Sequence, residues 1–199
     1  IMQNSTTKVR ALTGTAMLGA VAAVLMYLEF PIPIMPAFVK LDVSELPALI
    51  ASFAYGPVSG VLVCLIKNLI KLPSTSTAAV GELFNFVMGA LFVGVAGIVY
   101  KRNKTRKGAI VGALLGALVM AVVSVPYNYF IVYPAYVVMY HLPLEAIIGM
   151  YQAINPSVDG LLTCLLVFNL PFTFVKGVLD AVLCFLIYKP LSPILHGRK

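Results

Sequence analysis

Charge is scarce in this chain. Only 11% of its 199 residues are Asp, Glu, Lys or Arg, while 61% are hydrophobic, and the mean hydropathy is +0.99. Water-soluble domains carry about 25% charged residues, so a soluble globular fold is excluded and the composition implies an all-α integral membrane protein. Catalytic signatures are missing as well. There is no G-x-x-x-x-G-K-[ST] to cradle ATP and no H-E-x-x-H to hold zinc. The two histidines, His141 and His196, fall in separate segments, and no nucleophile has a base nearby in the sequence. Enzymatic chemistry is therefore not expected, nor is a metal or a resident cofactor. Cysteine is rare too: Cys64, Cys164 and Cys184 lie in apolar runs without metal-ligand spacing and read as small buried hydrophobes.

What is abundant is uncharged sequence. Stretches at 11–28, 46–66, 83–100 and 108–144 reach or approach the roughly 20 residues a helix needs to cross a bilayer. A single transmembrane domain over 1–199 is expected, in contact with lipid throughout. Lys8 and Arg10 precede an apolar run longer than the core of a signal peptide, about 7 to 15 residues, so that run reads as a first span. The net charge of +7 and the cluster Lys101-Arg102-Asn103-Lys104-Thr105-Arg106-Lys107 have a topological meaning, because the cluster links two apolar spans. No nucleic-acid partner is expected.

Proline and glycine divide the chain further. Pro31, Pro33 and Pro36 end the first helix, and Tyr55-Gly56-Pro57 splits the next apolar segment in two. Six transmembrane helices are expected over five, at about 9–30, 45–55, 57–72, 82–100, 108–133 and 158–188, with both termini cytoplasmic, because a single span over 45–72 would push Lys8 and Arg10 outside. This arrangement puts Lys8, Arg10, the 101–107 cluster, Lys189, Arg198 and Lys199 inside, ten of the fourteen basic residues. It leaves Glu29, Asp42, Glu45, Glu82, Glu145 and Asp159 at or beyond the outer face, and only Asp180 within. The segments 31–44 and 134–157 would then be external and could fold over the membrane surface as a lid.

Against this apolar background a few polar residues stand out. Lys176 lies near the middle of the last span, where an uncompensated ammonium costs about 2.5 to 3.5 kcal/mol on insertion scales. It either faces a ligand, with Thr173 one turn before it on the same helix face, or pairs within the helix with Asp180. Asn128, in Val125-Pro126-Tyr127-Asn128-Tyr129-Phe130, can read a ligand edge that alternates carbonyl and N–H groups, or can hydrogen-bond another helix. Glu82 and Asn85 open the fourth span. They either form a polar rim over a pocket, or Glu82 simply pairs with Lys67 or Lys71. Ala16, Gly19, Ala20 and Ala23 make a small-residue surface on the first span, suited to internal packing or to a partner subunit.

Taken in order, Leu41-Asp42-Val43-Ser44-Glu45-Leu46-Pro47, Gly56-Pro57-Val58-Ser59-Gly60, Lys67-Asn68-Leu69, Asn85-Phe86, Asn128-Tyr129 and Pro171-Phe172-Thr173-Phe174-Val175-Lys176-Gly177 carry a resemblance. The chain resembles the riboflavin-specific S components of energy-coupling factor (ECF) vitamin transporters. The resemblance implies a six-helix subunit that binds riboflavin as transported ligand and associates with a transmembrane coupling subunit and two cytoplasmic ATPases. It implies a multi-pass place in the cell membrane, and gives the first span's small residues a docking role. Flavin contacts would fall on Asn128 and Lys176, with Thr173 where an Asn is expected, Phe172 and Phe174 as apolar walls, and the loop bearing Leu41, Asp42 and Val43 over the entrance. Rival readings are an S component for pantothenate, thiamine or folate, and a proton-coupled secondary transporter using Lys176 and Asp180.

Overall fold

The computed structural model describes residues 2–36, 38–141 and 143–196. Arg198, Lys199 and the side chains of Lys189 and His196 lie outside the described residues.

Helix α1 (Met2–Tyr27) ends where prolines 31, 33 and 36 forbid continuation. The chain then folds back on itself: β1 (Phe30–Pro31) pairs antiparallel with β2 (Lys40–Leu41), closing the intervening loop. Helix α2 (Glu45–Tyr55) follows, and nine of its eleven residues are buried. A helix that is apolar all round belongs in the centre, and α1, α3, α4 and α9 surround this one. Gly56 adopts φ +109°, which only glycine reaches without strain, and Pro57 starts α3 (Pro57–Lys71) at a position needing no N–H donor. After a 3₁₀ turn at Leu72–Ser74 come α4 (Val80–Arg102) and α5 (Arg106–Tyr127), the latter capped by the Thr105 hydroxyl, which accepts from the Gly108 N–H. A π-helical turn, Asn128–Val132, joins α5 to α6 (Tyr133–Tyr140). Helices α7 (Leu144–Gln152) and α8 (Leu161–Cys164), a second π turn at Leu165–Asn169, and α9 (Leu170–His196) complete the fold.

Lipid tails are as apolar as leucine, so close backbone approach rather than hydrophobic exclusion holds such helices together. Along α5 the buried face reads Gly108, Gly112, Ala113, Gly116, Ala117, Ala121. A Cβ on Gly112 would lie 2.7 Å from the Ala96 carbonyl oxygen, and one on Gly116 only 2.4 Å from that of Phe92. On its other flank α5 meets Gly177 of α9, where a Cβ would sit 2.8 Å from that of Ala117. The outer surface is apolar in turn, with Leu12, Val58, Leu118, Phe130, Val175 and Leu186 exposed as lipid-facing side chains require.

Two expectations change. Among the described residues five helices are long and apolar enough to cross a membrane: Thr7–Tyr27, Pro57–Ser74, Val80–Arg102, Arg106–Tyr140 and Leu161–Tyr188. The segment 45–55 is the exception, since eleven residues rise only about 16 Å. Nor is 134–157 a surface loop. The fifth helix runs on through the π turn to Tyr140, and the widened turn before Pro134 accommodates a residue that has no N–H to donate. The small residues of α1 divide by face: Gly19 and Ala23 are buried, Gly19 against Ile66, whereas Ala16 and Ala20 are exposed.

The α4–α5 seam supplies a direct test. Gly116→Ala is expected to cost about 1 to 3 kcal/mol of stability through overpacking against the Phe92 backbone. Gly149→Ala, where a Cβ meets nothing within 4 Å, should leave the detergent unfolding midpoint unchanged. Equal midpoints for both variants would disprove the seam's role.

Candidate ligand cavity

Between the ends of α1, α4, α5 and α9 lies a cavity of about 190 Å³, whose lining includes Asp42, Glu82, Asn85, Asn128, Thr173 and Lys176. Phe172 lines it as well. Seven sequence-derived candidates from four separate segments thus meet at one place. Leu41 and Val43 are not among the lining residues; Phe38, Val39 and Lys40 take that side instead. Phe174 packs into the main apolar core, and Tyr129 and Phe130 face outward.

The electrostatic centre of the site is a buried ionic cluster. Lys176 Nζ donates to Asp42 Oδ2 at 2.9 Å and lies 3.0 Å from Glu45 Oε2. The second contact is an ion pair outside hydrogen-bond geometry, because Glu45 Oε2 has no hydrogen-bond donor among the described residues. Lys67, completely buried, donates to Glu45 Oε1 at 2.7 Å and to the Ser44 hydroxyl. Asp42 also accepts from the Ser44 N–H through Oδ1, a local turn that points its other oxygen at Lys176. Burial opposes ionisation of Asp42, but Lys176, Lys67 and the Ser44 hydrogen bond outweigh it and hold the carboxyl well below the usual carboxylate range.

Several pairings therefore differ from expectation. The Lys176–Asp180 pair does not form: Asp180 is buried, and neither of its carboxylate oxygens has a hydrogen-bond donor among the described residues. The loop carboxylates displace it, helped by the poor geometry of a Lys placed before an Asp on one helix. Neither Lys67 nor Lys71 pairs with Glu82; Lys71 reaches Glu29 at 3.3 Å, and Glu82 Oε2 accepts from the hydroxyls of Thr75 and Thr77. Those hydroxyls also accept backbone N–H groups of Thr77, Ala79 and Gly81, pinning a turn in which Ala78 and Ala79 both hold positive φ. Asp42, Glu45 and Glu82, expected at or beyond the outer face, are buried. Each has donors to meet it, which the sequence did not reveal.

A second polar group escaped the sequence reading. Tyr151 donates to Asn169 Oδ1 at 2.7 Å, Asn169 Nδ2 lies 3.4 Å from the Tyr133 hydroxyl, and the two hydroxyls bond each other. Since Tyr151 spends its proton on Asn169, Tyr133 must donate to Tyr151, and the three side chains close a ring. Phe38 of the 28–44 loop rests edge-on against both tyrosines, with ring centroids 6.3 and 6.2 Å away. Two of the three cavity amides, Asn128 and Asn169, occupy π turns. Asn128 begins one and Asn169 ends the other, and each turn closes two residues before a proline, Pro134 and Pro171. A helix widened to i+5 bonding absorbs the missing proline N–H and re-aims its side chains, a usual setting for binding residues. Those prolines were the available signal.

Free hydrogen-bonding capacity remains at the cavity wall. Lys176 has three N–H donors, and one is committed to Asp42. Asn128 gives one N–H to the Ser124 carbonyl at 2.8 Å, leaving a second N–H and its side-chain oxygen. Asn85 Oδ1 accepts from Asn68 at 3.3 Å, leaving its amide donors.

Comparison with known proteins assigns the architecture. The family model for the ECF transporter, substrate-specific component, matches residues 10–188. The "Riboflavin transporter FmnP" of Bacillus subtilis (strain 168) is 35% identical over 195 residues, covering 96% of this chain and 97% of its own. The "Riboflavin transporter RibU" of Staphylococcus aureus (strain TCH60) is 32% identical over 180 residues, covering 90% and 89%. A solved structure, "Structure and mechanism of the S component of a bacterial ECF transporter", aligns with a TM-score of 0.74 at 31% identity, over 94% of this chain and 98% of that one. With the family matched over nearly its whole length, the chain belongs to the substrate-specific components of ECF transporters, membrane transport subunits rather than enzymes.

Proposed function

We propose that this chain binds riboflavin in the cavity above and delivers it as the transported ligand of an ECF complex. One observation carries the reading: the Lys176 ammonium and the Asn128 amide, from helices far apart in sequence, line the same cavity with donors and an acceptor unspent. A flavin is a flat ring system edged by carbonyl and N–H groups, with a hydroxylated tail. Asn128 suits the alternating edge, Lys176 a ring acceptor, and Thr173 a single hydroxyl contact where an amide would offer more. Phe172, Met88 and Met120 supply apolar wall. Glu82 and Asn85 supply polar groups for the tail. The names of the relatives, at 32% and 35% identity over most of the chain, support riboflavin over pantothenate, thiamine or folate.

For topology the proposal takes α2 (Glu45–Tyr55) as a short second crossing, giving six. Its sides are covered by protein, so it need not match the bilayer thickness. The end carrying Lys8, Arg10 and the 101–107 cluster then faces the cytoplasm, and the cavity faces outward across the cell membrane. Energy would come from a transmembrane coupling subunit and two cytoplasmic ATPases, with the exposed Ala16 and Ala20 on α1 as the docking face.

Quenching of riboflavin fluorescence by the purified protein tests the assignment. Asn128→Ala is expected to weaken binding about tenfold, the worth of one lost hydrogen bond to a buried group. Its unfolding midpoint should stay near that of the parent. Binding that Asn128→Ala leaves intact would remove this residue from the site.

Lys67 touches the ionic cluster without lining the cavity. Lys67→Met should therefore destabilise the ligand-free protein by about 3 to 5 kcal/mol, because Glu45 loses its hydrogen-bonded partner in the interior. A midpoint shift below about 1 kcal/mol would contradict the cluster's structural role.

The lowered pKa of Asp42 fixes a pH dependence. A depressed carboxyl stabilises the fold above its ordinary pKa, and this is lost only as pH falls through the folded value. The stability difference between the parent and Asp42→Asn should accordingly stay constant from about pH 7 down to about pH 4, the ordinary aspartate value. A difference that has already halved at about pH 4 would show that Asp42 is not held by its lysines.

A further inference from the structure

At the end of the bundle opposite the ligand cavity lies a second one, of about 280 Å³, at the break between α2 and α3. Tyr55, Pro57 and Val58 form one wall, and Tyr100, Lys101 and Lys104, from the end of α4 and the link to α5, form the other. The floor is open, since a Cβ on Gly56 would meet nothing within 4 Å.

Its charge is one-sided. Among the described residues, Lys40, Lys67, Lys71 and Lys176 make their ion pairs at the far end, while Lys101 and Lys104 are exposed and make none. Among the described residues no Asp or Glu lines the cleft, and Arg102, Arg106 and Lys107 lie on the same link outside it. Two unneutralised ammonium groups beside an open cleft form an anion seat, to which the first turn of α3 adds the positive end of its dipole.

The position selects the source of the anion. The candidate membrane span of α4 ends at Arg102, so an α4 that crosses the bilayer brings the lysines to headgroup depth. Val58, 71% exposed beside them, offers acyl-chain contact, and the two tyrosines have the amphipathic character of interfacial side chains. We propose that this cleft seats a phosphate group, carried by the headgroup of an anionic phospholipid. The placement rests on the basic end facing the inner leaflet, where anionic lipids attract such lysines.

The test is lipid retention by the full chain, read by native mass spectrometry after extraction from vesicles of equal phosphatidylglycerol and phosphatidylcholine. The parent protein should keep phosphatidylglycerol in severalfold excess. Lys101→Gln/Lys104→Gln should reduce that excess about fivefold or more, a single lysine near an anionic surface being worth about that factor. Arg106→Gln/Lys107→Gln, which removes equal charge from the same link outside the cleft, should retain it. Equal retention of the two lipids by the parent, or equal loss in both double variants, would overturn the proposal. So would inorganic phosphate displacing the lipid at millimolar concentration, since the seat would then take a free anion. Riboflavin binding by the Lys101→Gln/Lys104→Gln variant should match the parent, so the outcome is separable from that of the flavin assignment.

Discussion

The structure turns on Glu45. Its carboxylate stands at the first residue of the central helix and touches two ammonium groups, Lys67 from α3 and Lys176 from α9, while Asp42 from the preceding loop completes the cluster. Burying any one of these ions alone would cost several kcal/mol. Together they neutralise one another, and the α2 N-terminus, where the helix dipole favours a negative charge, adds to the case for an acid at position 45. The short helix can therefore be apolar along its length and still begin with a charge inside the bundle. The 28–44 loop is held inward by the same bond, because Asp42 has its only described ion-pair partner on α9.

This arrangement ties the loop to the cavity wall. Lys176 faces the cavity and clasps Asp42, so whatever contacts its remaining donors meets a side chain already fixed in place. Phe38, from the same loop, lies on the Tyr133–Tyr151–Asn169 ring at the far side of the cavity. One loop thus bridges an ionic contact at α9 and an aromatic contact at α6 and α7. Its position reports on both walls at once, the behaviour expected of a segment that covers a binding site.

Much of the helical plan was legible because its signals are local. The prolines after Leu28, the Gly56-Pro57 break and the uncharged runs act within a few residues, and the helices follow them. The polar lining of the cavity was legible in part, without Tyr133 and Asn169, and its pairings were not. Lys176, Asn128 and Glu82 stand out against apolar sequence, but which acid meets which lysine depends on contacts across up to 134 positions, and of the alternatives open for Lys176 the in-helix pair with Asp180 does not form. The two π turns show an intermediate case. Pro134 and Pro171 were visible, yet a proline can break, kink or widen a helix, and only packing against neighbours selects among these. The glycine seam of α5 is regular enough to be seen, but its partners are set by the fold.

The charge of the cavity wall bears on what the site accepts. Glu29, Asp42, Glu45 and Glu82 face Lys40, Lys71 and Lys176, and the lysines are already engaged by three of those acids. Among the described residues, each lysine of this wall already has a carboxylate partner. A flavin bearing a phosphate ester would bring charge of about −2 into this wall, and would have to draw Lys176 from Asp42, leaving that carboxylate without its ion-pair partner, or compete with Glu29 for Lys40 and Lys71. A neutral flavin needs no such exchange. Its ring acceptors can take a spare N–H of Lys176 without dissolving the pair that holds the loop. On the proposed reading, discrimination between riboflavin and its phosphorylated forms follows from the same ionic cluster that places the central helix.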